Sequence, residues 1–234
     1  LDKTGTLTTG TMAVEDVHTV DDVDADDLLR RAGTVETLSE HPIAAAIADA
    51  TPESATADAP TAVDEFERAD RGVSGFVDGD RVVVGHPDFL REHGFSVPDT
   101  LEARITTIRD AGDVPVVVGW DGRALGVIAV GDSPREALGE TLETLSAGRE
   151  IVVLTGDEGA AADRFRELEG VDAVFAGVPP EAKAETVDRL RSRGTVAMVG
   201  DGSNDAPALA TADVGIAMGS GTKLATDAAD AVIV

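Results

Sequence analysis

The spacing of apolar positions divides this chain into two regimes. From residue 149 onward, short apolar runs alternate with amphipathic stretches. "REIVVLTGD", "DAVFAGV", "TVAMVGDG" and "DVGIAMG" read as buried strands, with "AAADRFRELEG", "PEAKAETVDRLRSRG" and "NDAPALATA" as the helices between them. Such alternation predicts a parallel sheet wrapped by helices. Sites in such sheets lie beyond the carboxyl ends of the strands. "TGD", "GDGSND" and the opening "LDKTGT" all fall at predicted strand ends, the last if Leu1 closes a strand. The chain ends on another apolar run, "DAVIV", so both ends look clipped.

Residues 12–125 follow another pattern. "DADDLLRRAGTVETLSEHPIAAAIADA" predicts two helices broken at residues 39–42, with Pro42 starting the second. "TPESATADAPTA" predicts a polar loop. "GFVDGDRVVVG" and "VPVVVGWDGRALGVIAV" each place Asp-Gly between apolar alternations, a strong hairpin signal. The expectation is an α/β chain: a Rossmann-like domain of residues 1–11 and 126–234, interrupted by an inserted α+β domain of residues 12–125. No internal repeat is evident.

Composition narrows the function. No apolar run is long enough to span a membrane, and no secretory leader pattern opens the chain. With no cysteine, disulfides and thiolate metal sites are excluded within these 234 residues, and a cytosolic setting is expected. Forty-five acidic residues against nineteen basic ones give a net charge of −26, which argues against a nucleic-acid partner. The acids are scattered along the chain, as on a solvated surface suited to high salt. Lysine occurs only at 3, 183 and 223, and the first two fall in the motifs below, where a compact ammonium is of use. No Gly-Lys dipeptide occurs, which excludes a P-loop.

Four separated pieces converge if the sheet forms as predicted. Asp2 is the candidate nucleophile, a carboxylate able to form an acyl phosphate. Thr155, in Thr155-Gly156-Asp157, and Lys183 are placed to hold phosphoryl oxygens. Asp201, with Asp205 behind it, is placed to hold Mg²⁺ beside Asp2. Alone, each piece has a plain reading as a turn, a loop or a solvated helix lysine. Their order and shared position at strand ends carry the argument.

"DKTGTLT", "TGD" and "GDGSNDAPAL" resemble the signature segments of P-type ATPases, whose phosphorylation domain is of the haloacid-dehalogenase class. The resemblance covers essentially the whole chain. It implies that Asp2 is phosphorylated by ATP, that the Thr4 carbonyl and Asp201 ligate magnesium, and that Thr6 contacts the phosphoryl group. Lys3, Asn204 and Asp205 belong to the same motifs. Soluble phosphatases of the class carry a second aspartate two residues after the nucleophile, as acid and base. Here that position is Thr4, which favours a long-lived aspartyl phosphate.

"SEHP", Ser39 to Pro42, resembles the nucleotide motif of the heavy-metal-transporting, type IB, branch. It implies that His41 packs by adenine and Glu40 bonds to it, with Gly72, Gly75, Gly85 and His86 lining the nucleotide. Two positions depart from the family: Asp70 stands where a glycine is usual, and His86 where an asparagine is. "GDSPREAL", at 131–138, resembles the return into the phosphorylation domain or is a plain linker. Lys223 replaces a usually acidic residue and has no assigned role.

The resulting expectation is the ATP-binding and phosphorylation portion of a heavy-metal pump, with copper favoured. It would work with ATP, Mg²⁺, the rest of its own pump and the transported ion at the cytoplasmic face of a membrane. The alternatives are a free-standing phosphatase of the same class and a nucleotide-binding regulatory module without chemistry.

Overall fold

The computed structural model describes residues 1–20, 23–52, 62–201, 204–219 and 221–233. The chain divides into two compact units, Leu1–Thr11 with Asp132–Val234, and Met12–Gly131. The return from the inserted unit falls at Asp132 rather than at residue 126. The reason is the strand Arg123–Pro134, whose apolar residues up to Val130 stay buried in the inserted sheet.

The inserted unit is built on a six-stranded sheet. Its strands are β1 (Thr8–Thr19), β2 (Asp64–Ala69), β3 (Gly72–Val77), β4 (Asp80–Gly85), β5 (Val114–Trp120) and β6 (Arg123–Pro134), in the order β1-β6-β5-β4-β3-β2. The β3–β4 and β5–β6 hairpins turn at Asp78-Gly79 (φ +54° and +89°) and Asp121-Gly122 (φ +54° and +74°). Positive φ at both central residues matches the strand twist, which is why Asp-Gly is favoured there. The predicted polar loop lies mostly outside the described residues.

Runs of valine in β4 and β5 send side chains to both faces, and both faces are covered. On one face, helices α1 (Ala25–Glu36) and α2 (Pro42–Asp49) pack Leu28, Ala32, Val35 and Ile47 against Val82, Val84, Val116 and Val118. On the other, α3 (Pro87–Glu92) and α4 (Asp99–Asp110) bring Phe89, Leu90, Leu101 and Ile105 onto Val83, Val117 and Val127. Full burial of such a side chain contributes about 1.5–3 kcal/mol. Asp24 caps α1 by accepting from the Asp26 and Asp27 amides. The helix break before Pro42 is as expected.

The other unit is the parallel α/β sheet. Strands β7 (Val152–Leu154) and β8 (Ala173–Phe175) pair in parallel, as do β9 (Ala197–Gly200), β10 (Val214–Met218) and β11 (Ala231–Ile233). Leu1 and Asp2 join the two groups. The Leu154 amide donates to the Leu1 carbonyl at 2.8 Å, and the Asp2 amide to the Val199 carbonyl at 2.9 Å. Helices α5 (Leu138–Ser146), α6 (Ala160–Arg166), α7 (Pro180–Arg191), α8 (Ala206–Thr211) and α9 (Lys223–Ala228) complete the unit. Leu154, Val187, Met198 and Leu209 form one apolar cluster, and Leu138, Leu142, Val153 and Phe165 another. No helix among the described residues is long and apolar enough to cross a membrane.

The segment at 131–138 is more than a linker. The Thr8 hydroxyl donates to Asp132 Oδ2 at 2.5 Å and the Gly10 amide to Asp132 Oδ1 at 2.8 Å. Arg135 donates from Nε to the Thr6 carbonyl and from its terminal nitrogen to the Gly5 carbonyl. The outgoing and returning chain segments are therefore tied together.

Candidate active site

Asp2 bridges β7 and β9, paired in parallel with Leu154 and bonded to Val199, and the chain turns sharply after it. Gly5 makes that turn at φ +71°, where a Cβ would stand 2.5 Å from Asp201 Oδ2. A side chain there is excluded both by conformation and by the approach of Asp201. The strand ends of β7 and β9 deliver Thr155 and Asp201, and the first turn of α7 delivers Lys183.

These residues line a cavity of about 370 Å³. Its walls include Asp2, Lys3, Thr4, Thr155, Gly156, Asp157, Lys183, Asp201, Asn204 and Asp205, together with Val178 and Pro180. Ten sequence-predicted residues therefore meet in one place. Thr6 does not line the cavity. It is buried, with a hydroxyl that has no hydrogen-bond partner. Gly202 and Ser203 of "GDGSND" lie outside the described residues.

Charge is concentrated at the cavity floor. Asp2 is 3% exposed, Asp205 1% and Lys183 8%. Lys183 Nζ donates to Asp2 Oδ1 at 2.5 Å and to Asp205 Oδ1 at 2.6 Å. Burial pushes the Asp2 carboxyl up to about 6, the nearby Asp205 charge adds to the rise, and Lys183 opposes it. Burial works against the Lys183 ammonium, but the two carboxylates outweigh it and its pKa is raised. At one wall, Lys3 pairs with Asp157 at 2.7 Å, and the Asp157 amide donates to Thr155 Oγ1 at 3.0 Å. These bonds fix the TGD turn against the opening motif.

Asp2, Asp201 and Asp205 each offer a carboxylate oxygen, all within 4.8 Å of one another. Three hard oxygen donors with only one ammonium among them fit a divalent cation of the magnesium type.

The inserted unit distributes its candidates differently. His41 is exposed and caps α2, its Nδ1 accepting from the Ile43 amide at 3.2 Å. That bond leaves Nε2 as the protonated nitrogen. Glu40 beside it is exposed. Gly72 is half-buried, while Gly75 and Gly85 are buried in the sheet. His86 caps α3, its Nδ1 accepting from the Asp88 amide. A recess of about 470 Å³ lies at Ala62, Asp64, Glu65, Phe76, Asp78 and Gly79. Its three carboxylates, with no basic residue among them, have the wrong sign for a polyphosphate.

Sequence reasoning missed Glu36, at the end of α1. It is 6% exposed, and burial alone pushes its carboxyl up to about 7. The signal was present: Glu36 falls on the apolar stripe of Leu28, Leu29, Ala32 and Val35, where an acid breaks the helical pattern.

The haloacid dehalogenase-like hydrolase family matches residues 1–213, and this chain belongs to that family. Within it, the likeness is to metal-transporting P-type ATPases. The chain is 40% identical over 237 residues to copper-transporting ATPase 2 of Rhizobium meliloti (strain 1021), matching 100% of this chain and 28% of that protein. The crystal structure of a zinc-transporting PIB-type ATPase superposes with a TM-score of 0.85 at 35% identity, over 100% of this chain and 37% of that one. The structure of the catalytic CPx-ATPase domain CopB-B matches with a TM-score of 0.56 at 30% identity, over 98% of this chain and 80% of that domain. The chain thus spans less than a third of the curated relative's length.

Proposed function

We propose that this chain is the ATP-binding and phosphorylation portion of an ATP-driven heavy-metal pump, at the cytoplasmic face of a membrane. The observation that carries the reading is the buried Asp2 carboxylate at a strand end, with Lys183, Thr155, Asp201 and Asp205 around one cavity. An Asp2 carboxylate oxygen attacks the terminal phosphorus of ATP, the bond to the bridging oxygen breaks, and ADP leaves. Lys183 neutralises charge on the transferring group, and Thr155 lines its path. Water later attacks the same phosphorus, releasing inorganic phosphate and restoring the carboxylate. Magnesium, held by Asp2, the Thr4 carbonyl, Asp201 and Asp205, would supply positive charge to the phosphoryl oxygens. The phosphoryl contact implied for Thr6 has no such support, because its buried hydroxyl lies off the cavity lining. A phosphatase reading lacks the acid–base carboxylate, since residue 4 is threonine.

Met12–Gly131 is the nucleotide-binding unit in this reading, with the His41 ring beside adenine and Glu40 at the rim. Gly72, Gly75, Gly85 and His86 belong to its surroundings. Among the described residues of this unit Glu36 is the buried carboxylate, and a buried acceptor gains most from being satisfied. Copper is the favoured cargo, following the name of the curated relative, although one matching structure is a zinc transporter.

The decisive experiment uses the intact protein that contains this chain, with labelled ATP, Mg²⁺ and Cu(I). A hydroxylamine-labile phosphoenzyme should form with Cu(I) and fall to background in Asp2→Asn; equal labelling of that variant overturns the assignment. We read the −26 charge as a surface suited to high salt, since self-repulsion is unscreened where the Debye length reaches roughly 30 Å at 0.01 M. The melting temperature should rise steeply toward molar salt, and a flat curve refutes this.

A further inference from the structure

We propose that Lys183 is an internal counter-ion which holds the magnesium position shut until a phosphoryl group draws it away. This rests on the reading that the cavity takes magnesium and a phosphoryl group. The same nitrogen lies 2.5 Å from Asp2 and 2.6 Å from Asp205, two of the three carboxylates that converge within 4.8 Å. A divalent ion and an ammonium therefore seek the same few oxygens in one small, poorly solvated volume.

Leaving Asp2 and Asp205 buried without a cation is costly, so the lysine has reason to stay when nothing else is bound. No other lysine competes for the place: Lys3 is tied to Asp157, and Lys223 pairs with Asp227 on the surface. Phosphoryl oxygens change the balance. They give the ammonium a new anionic partner and release both carboxylates to the metal. Metal and phosphoryl ligand then bind cooperatively, and the coupling is reciprocal. The lysine that assists transfer thus also discourages magnesium from settling in a site that holds no phosphoryl group.

The test is calorimetric titration of the full chain with Mg²⁺, with and without beryllium fluoride as phosphoryl mimic. In the unsubstituted chain, beryllium fluoride should tighten Mg²⁺ binding. Lys183→Met should bind Mg²⁺ alone about tenfold more tightly, because a nearby competing positive charge is gone, and the tightening by beryllium fluoride should largely vanish. Equal or weaker Mg²⁺ binding by the variant overturns the proposal.

A second measurement needs no substitution at the site. With three lysines in the chain, the ¹³Cε resonances are few. The Lys183 signal should shift with Mg²⁺ alone, at the half-saturation seen by calorimetry, while Lys223 stays fixed. A Lys183 signal unmoved at saturating Mg²⁺ means that ammonium and metal coexist, which also overturns the proposal. Asp201→Asn separates the two levels: if it leaves Mg²⁺ affinity unchanged, the magnesium reading itself fails, whatever Lys183 does.

Discussion

The two sheets of this molecule use their polar residues in different ways. In Met12–Gly131, valines cover both faces of the sheet, and among the described residues the buried polar side chains are Glu36 and Ser74. In Leu1–Thr11 with Asp132–Val234, Asp2, Thr155, Lys183 and Asp205 are all buried at the strand ends or just beyond them. The first unit gains stability from a continuous apolar interior. The second accepts two buried carboxylates around one ammonium, a costly arrangement whose return is chemistry. Glu36 shows the contrast most plainly. It and Asp2 are both buried acids with raised pKa values, but Asp2 has a lysine 2.5 Å away and Glu36 is raised by burial alone.

The comparison breaks most visibly if the units do not unfold separately. Leu90 is fully buried under α3, and Leu90→Ala should cost the inserted unit about 2–5 kcal/mol. Calorimetry should show two transitions, of which one falls in the variant. A single transition that shifts as a whole would mean that the two interiors are energetically one.

Glu36 sharpens the contrast at smaller scale. Its carboxyl moves from the usual 4.5 to about 7 on folding, so the folded chain favours the protonated form. Stability from this group is complete below pH 4.5 and is lost as pH rises through 7. Glu36→Gln should therefore gain about 1–3 kcal/mol at pH 8 and nothing at pH 4. Denaturant titrations at the two pH values check this, and an equal gain at both would place the effect elsewhere.

The smallest effect concerns His41. His41→Ala removes the α2 cap, worth about 1 kcal/mol, and should weaken ATP binding roughly tenfold through lost ligand contact. His41→Asn restores a capping acceptor without the ring, so it should recover the stability and leave ATP binding weak. Recovery of both would reduce the histidine to a cap.

Legibility in the sequence followed the range of the interactions. Both Asp-Gly hairpins, the α1–α2 break and the parallel strands were readable, because turn chemistry and apolar rhythm are local. The strand β1 was not, since "TTGTMAVEDVHT" carries no clean alternation and its burial is mixed. The active-site cluster was readable only as motifs. The bonds from Lys183 span 181 residues to Asp2 and 22 to Asp205, distances over which periodicity says nothing. Glu36 was overlooked because its only sign is one acid in an apolar helix stripe.

The clasp at Asp132 has a consequence for how such a chain can be assembled and redesigned. Where the insert leaves and where it returns, Gly10 and Asp132 are joined by a 2.8 Å hydrogen bond. The inserted unit begins on β1 and ends on β6, which are neighbours in its sheet. It is therefore a cassette whose first and last strands are neighbours. Excising residues 12–131 and bridging the gap with a few glycines should leave a closed, foldable remnant bearing Asp2, and the same junction offers a port for grafting a different recognition module.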